Sequence, residues 1–216
     1  MYKKVFLMCC AALIILLVLI CVKKEKSNDF RAESADLSNH SEKLNELEVS
    51  TSKYRNFDDF IRSSESEQIR FLKILITQKS PEDKNIAFYS QIIESNAVSN
   101  QVKILAAKNI GSLGRAGYAA LPVLAAIVRT PVEEAHNDWR DVAARAIGDI
   151  GPPADDGVIE ALVKGANQGL TGNTLCTSAC IETLLKMGSQ GKKGLFILIT
   201  SDNGSISERA ADALID

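Results

Sequence analysis

The sequence predicts an all-α protein made of a repeated helix pair, and three observations carry that expectation. An apolar pattern of helical spacing recurs at a fixed offset of 37 residues, a glycine closes each copy, and aromatics make up only 6% of a chain in which alanine is plentiful. Self-similarity at a fixed period marks a stacked repeat, and small side chains favour closely packed helices over a sheet sandwich. The expected architecture is a right-handed α-solenoid of about four helix pairs, with capping helices on its N-terminal side and one transmembrane helix before them.

The repeat is clearest from residue 102 onward. Residues 102–114 written above residues 139–151 align Ala106 with Ala143, Ala107 with Ala144, Lys108 with Arg145, Ile110 with Ile147, Gly111 with Gly148, Leu113 with Ile150 and Gly114 with Gly151. A further 37 residues lead to Cys176, Cys180, Ile181, Leu184, Met187 and Gly188 in the corresponding places, and a shorter step brings residues 206–214 into the pattern. Val102, Leu105, Ala106, Ile110 and Leu113 mark one face of a helix. Gly114, Gly151 and Gly188 stand where a helix end takes a residue at positive φ, so they read as helix stops.

A second set of helices is expected between these, over 119–129, 156–167 and about 192–201, with Leu121, Val158 and Leu195 again 37 apart. Pro122 suits a first helical turn, and Pro152-Pro153 bars the preceding helix from continuing. Upstream, residues 65–78 and 83–95 read as amphipathic helices, with Phe57, Phe60 and Ile61 in a short one before them. The helix at Asp83 is expected to pair with the one at 102–113, and the earlier two to cap the array. Leu214 and Ile215 lie in a helix with no covering element after it, so the expectation there is a truncated array or a partner over that end, self-association included.

The Ala-Ala centre and the Ile147-Gly148-Asp149-Ile150-Gly151-Pro152 close resemble the HEAT repeat and the shorter HEAT-like variants found beside bilin lyases. The resemblance covers residues 98–216 and is strongest from Arg140 to Pro152. The third copy departs from it, with Cys176 for Val and no Ala pair. It implies an architecture, and an inner row of helices lining a groove, without implying one activity, because such arrays serve many roles.

At the other end, residues 5–22 form an uncharged, almost wholly apolar run flanked by Lys3 and Lys4 and by Lys23, Lys24 and Lys26. As a helix it would span about 27 Å, enough to cross a bilayer. A cleaved secretory signal needs small residues near the cut, whereas this run ends Leu19-Ile20-Cys21-Val22. An uncleaved anchor is the expectation, and the flanking lysines leave its orientation undecided. Domain limits follow: 1–26 anchor or signal segment, 27–54 polar linker, 55–96 capping helices and start of the first repeat, 97–216 HEAT-type repeats. The expected localisation is a membrane, through that single helix.

A net charge of −2 over 216 residues, or −6 once residues 1–26 with their five Lys and one Glu are set aside, gives no electrostatic reason to bind nucleic acid. The five Cys form no CxxC, so neither a disulfide framework nor a zinc knuckle is indicated. Cys176 and Cys180 take the places of core residues Val102 and Ala106 and read as small buried hydrophobes. There is no Gly-x-Ser-x-Gly motif and no His/Cys cluster of metal spacing. HEAT-like di-iron hydroxylases use His-Glu pairs, but the two His here precede Ser41 and Asn137. No catalytic, metal or cofactor site is expected.

The candidate residues are therefore those of a binding surface. Lys108, Arg145, Glu182 and Asp212 share one register, so stacked repeats would set them side by side as a ladder running from basic to acidic. A solvated intrachain ladder is the plainer reading of the same four. Glu133, Glu134 and His136 lie in a long loop before Trp139, the only Trp, and offer a recognition edge; Trp139 itself takes a core place and Asp138 suits an N-cap. The functional expectation is a membrane-tethered scaffold that binds a protein or peptide in the groove, without catalysis. The alternative is an accessory subunit of a lyase-like or cofactor-handling enzyme.

Overall fold

The computed structural model describes residues 57–77, 83–131, 139–168 and 174–215. Every described residue belongs to one compact unit, Tyr54–Asp216. The apolar run at 5–22 and the linker after it lie outside the described residues. Among the described residues no helix is long and apolar enough to cross a membrane.

The described residues are helical throughout, with no strand: α1 (Phe57–Ile61), α2 (Glu65–Thr77), α3 (Asp83–Glu94), α4 (Asn100–Ser112), a 3-10 helix (Gly114–Ala120), α5 (Leu121–Arg129), α6 (Arg140–Ile150), α7 (Asp156–Gln168), α8 (Thr174–Lys186), α9 (Gly188–Ile199) and α10 (Gly204–Ile215). Several starts are fixed by short polar side chains that satisfy otherwise orphaned amides. Ser64 and Glu67 form a reciprocal capping box at α2, with the Ser64 amide 3.1 Å from Glu67 Oε2 and the Glu67 amide 3.4 Å from Ser64 Oγ. Ser99 Oγ accepts from the Val102 amide, Asp155 Oδ1 from Val158 at 2.8 Å, and Asn203 Oδ1 from Ser205 at 3.1 Å. At α6 the cap residue is Trp139, which makes no side-chain cap bond; Asp138 lies outside the described residues.

The helices pack in two rows. α2, α4, α6, α8 and α10 lie one against the next, as do α3, α5, α7 and α9, and the rows meet through the pairs α3–α4, α5–α6, α7–α8 and α9–α10. The 37-residue period is written into the first row's contacts. Asn109 Nδ2 donates to the Leu72 carbonyl at 2.9 Å, Arg145 pairs with Glu182 at 3.0 Å and Lys186 with Asp149 at 3.1 Å, each pair 37 residues apart. Small residues set the spacing: a Cβ on Gly111 would lie 3.0 Å from Ala146 Cα, and one on the equivalent Gly148 would lie 2.9 Å from Thr183 Oγ1. Only a bare backbone admits the neighbour so closely.

The expected helix stops are present. Gly114, Gly151 and Gly188 have φ of 56°, 79° and 60°. The chain leaves each stop differently: through a 3-10 helix after Gly114, through the cis Pro152-Pro153 bond after Gly151, and through α9 directly from Gly188, four residues earlier than the sequence pattern places it. The return over the preceding helix is tightest at Gly191, where a Cβ would lie 1.7 Å from the Leu184 carbonyl oxygen; Gly117, 74 residues earlier, meets Ile110 O in the same way at 2.8 Å.

The core is one continuous apolar layer between the rows. Val102, Ala106, Ala107 and Ile110, with Ala143, Ala144 and Ile147, and Cys176, Cys180 and Leu184, are fully buried in the first row, facing Leu124, Leu162, Leu195 and Leu198 of the second. At the N-terminal end, α1 lays Phe57 and Phe60 on Phe71 of α2 and Phe88 of α3, with ring centroids 5.1 to 6.2 Å apart, mostly edge to face or tilted. Such geometry is favoured by the ring quadrupoles. Gln68 is buried with them and donates to the Phe60 carbonyl at 3.0 Å.

Candidate partner-binding face

The four charges of the expected ladder sit on the exposed side of the first row: Lys108 on α4, Arg145 on α6, Glu182 on α8 and Asp212 on α10. The structure joins the middle two. Arg145 Nη1 lies 3.0 Å from Glu182 Oε2, with both side chains about half exposed. A second pair of the same spacing, Asp149 to Lys186 at 3.1 Å, runs beside it between the same two helices. The centre of this face is thus neutralised within the chain, in line with the plainer reading of the ladder, and exposed pairs of this kind contribute only about 0.2–1 kcal/mol each. Among the described residues neither Lys108 nor Asp212 has an ion-pair or hydrogen-bond partner, so a cation and a carboxylate flank the neutral centre. On α10, Arg209 Nη1 turns back to Ser178 Oγ of α8 at 3.3 Å.

Apolar groups interrupt the charges. Leu175 is 60% exposed on α8, while Ile104 of α4 and Val142 of α6 are half-buried. Burial lowers the Lys103 pKa on the same helix as Lys108. The face therefore offers a lysine, an aspartate, two internally paired bridges and an apolar step.

Glu133, Glu134 and His136 lie outside the described residues. The residues beyond them are core: Trp139 is 9% exposed and Arg140 only 1%. Arg140 Nη1 donates to the Thr130 carbonyl at 3.2 Å, fastening the start of α6 to the end of α5. Nothing in the sequence pattern distinguishes this arginine from an exposed one; its burial follows from the chain reversal around it. Cys176 and Cys180 are buried with sulfurs 4.0 Å apart. The Cys180 thiol is pushed well up, first by its hydrogen bond with Cys176 and then by burial, with Arg140 opposing. A buried thiol with a raised pKa packs as a small apolar side chain rather than acting as a thiolate. Among the described residues no three His, Cys, Asp or Glu side chains gather as a metal site would require.

A feature the sequence pattern does not reveal lies at the loop edge. Arg115, Tyr118, Ile150, Gly151, Pro152 and Pro153 line an open, largely apolar hollow of about 310 Å³, with Tyr118 47% exposed. Arg115 and Pro152 occupy equivalent repeat positions 37 apart, so the hollow is where two successive turns meet. No protein family, curated protein or solved structure matches this chain.

Proposed function

We propose that this protein is a membrane-tethered scaffold built as an α-solenoid of HEAT-type repeats, which holds a protein or peptide on the face of its first helix row and has no catalysis of its own. The observation that carries the reading is the recurrence of cross-helix contacts at the sequence period: Leu72 to Asn109, Arg145 to Glu182 and Asp149 to Lys186. Stacked repeats generate extended surfaces whose main resource is side chains repeated in register. Residues 5–22 supply the tether, and the polar sequence after them gives the repeats reach to engage partners near the bilayer.

The test is affinity capture by the intact, detergent-solubilised chain. Lys108→Glu is expected to release the partner, because it reverses a cation that has no ion-pair partner among the described residues. Arg145→Glu should weaken capture as well, and the double variant Arg145→Glu with Glu182→Arg restores the intrachain pair while inverting its order. Capture that stays weak in the double variant supports direct contact with the partner. Capture restored there would show that Arg145 acts through its pair alone, and capture unchanged by Lys108→Glu would remove this face from consideration.

The hollow at Arg115 and Tyr118 favours a second reading, an accessory subunit that handles a small ligand for a lyase-like or cofactor-using enzyme. That reading requires a small molecule to co-purify with the chain and to be lost in Tyr118→Ala; a purified protein free of ligand counts against it.

A further inference from the structure

We infer that the outer face of α9 and α10 is a docking surface for a second copy of this chain, giving a closed, two-fold dimer. Three apolar side chains stand out there: Phe196 is 61% exposed, Ile197 56% and Ile215 83%. The repeat register explains the role for which Phe196 is shaped. Ile159, 37 residues before it on α7, is only 7% exposed because α9 covers it; a Cβ on Gly194 would lie 3.1 Å from Ile159 Cγ2 and 3.2 Å from Val163 Cγ2. Phe196 thus occupies the position through which one helix of this row meets the next, and it presents a larger apolar group than the one that is covered.

The occupant follows from the charges and from the other end of the described rows. Lys192 and Lys193 are exposed one turn before Phe196 on α9, and Glu208 is exposed on α10; none of the three makes an ion pair among the described residues. Arg209 does not join them, being turned toward Ser178. α9 and α10 pack on each other as sequence neighbours across a short turn. A two-fold axis that lays α9 of one copy on α10 of the other brings Lys192 and Lys193 toward the second copy's acidic helix and joins the apolar groups between them. At the opposite end, Phe57 and Phe60 of α1 already cover Phe71 and Phe88, with Phe60 fully buried. Among the described residues, α1 covers the opposite end of the rows while this face carries the exposed Phe196, Ile197 and Ile215, so like faces pair about a two-fold axis and give a closed dimer rather than a fibre.

The experiment is sedimentation equilibrium of the full chain in density-matched detergent, with binding to anionic vesicles measured beside it. The wild-type protein mass is expected to double with concentration from that of the 23.4 kDa chain. Phe196→Asp, at an exposed position where the helical circular dichroism should not change, is expected to raise the dimer dissociation constant roughly thirtyfold, as losing a central interface aromatic does. Lys192→Glu with Lys193→Glu should weaken the dimer, and adding Glu208→Lys should recover it. A monomer at every concentration, or a dimer indifferent to Phe196→Asp, would overturn the inference. So would vesicle binding that falls in Phe196→Asp while the mass does not, since the face would then be serving a lipid surface.

Discussion

The two ends of the helical rows solve the same problem differently. At the N-terminal end α1 is only five residues long, yet it brings two phenylalanines over α2 and α3, and Phe60 is fully buried. At the other end α9 and α10 carry Phe196, Ile197 and Ile215 largely in solvent. Among the described residues, the helices inside the rows are packed on both sides, whereas those at either end of the described rows have one side left over. The comparison teaches that a short aromatic segment suffices to close such a side, and it is the side left apolar that the proposed dimer would use.

The largest effects should come from the parts that hold the rows together. Gly191→Ala places a methyl carbon 1.7 Å from the Leu184 carbonyl, and because that neighbour is backbone it cannot swing aside. The substitution should cost more than about 4 kcal/mol, beyond the usual range for point changes, and chemical denaturation would register it as a chain barely folded at 25 °C. Phe60→Ala, which opens the closed end, should cost about 3–5 kcal/mol and expose Phe71 and Phe88. If it costs less than about 1 kcal/mol, α1 is not the closure described here.

Asn109→Ala comes next. It removes the side-chain donor that joins α4 to the buried Leu72 carbonyl of α2, a loss of about 0.5–1.5 kcal/mol, measurable as a lowered urea midpoint at unchanged slope. Asn109 Oδ1 is itself buried without a partner among the described residues, so the residue's value lies in its donor side.

Alkaline pH should act at an intermediate scale. Burial raises the Tyr89 pKa, with the Asn109 hydrogen bond opposing, and Cys180 is raised by Cys176 and by burial. Both folded values lie above the ordinary 10.0 and 9.0, so the neutral forms stabilise the fold fully below those values and the contribution is lost as pH rises through the folded ones. Thermal melts should hold steady from about pH 6 to 8 and fall above about 9, less steeply in Cys180→Ala. A melting temperature that rises with alkali would contradict the burial of these groups.

Smallest of all, Arg145→Ala should change stability by no more than about 1 kcal/mol, even though the same position matters for the proposed binding. A stability loss well above that would place Arg145 among the structural residues and weaken its assignment to a partner face.

Much of this was legible in the residues. The 37-residue offset, the Ala pairs and the glycine stops set out α4 to α8 to within a few positions, because a helix end at positive φ and a close helix contact each admit few residue types. The core places of Trp139, Cys176 and Cys180 followed from register alone. The start of α9 did not, since Gly188-Ser-Gln-Gly191 looks like a loop and becomes helical only because Gly191 can approach the Leu184 carbonyl. Arg140 was illegible for a related reason: its burial depends on the chain reversal that brings Thr130 above it. The ladder was visible as a register, but the 3.0 Å bridge between Arg145 and Glu182 needed the rows to be assembled before it could be seen.

The contrast between the two ends is tested most directly by hydrogen exchange of the full chain at two protein concentrations in the same detergent. The account predicts that amides of α2 to α4 are slow and indifferent to concentration, whereas those of α9 and α10 are faster in dilute solution and gain protection as copies meet. Equal protection at both ends, unmoved by concentration, would contradict it.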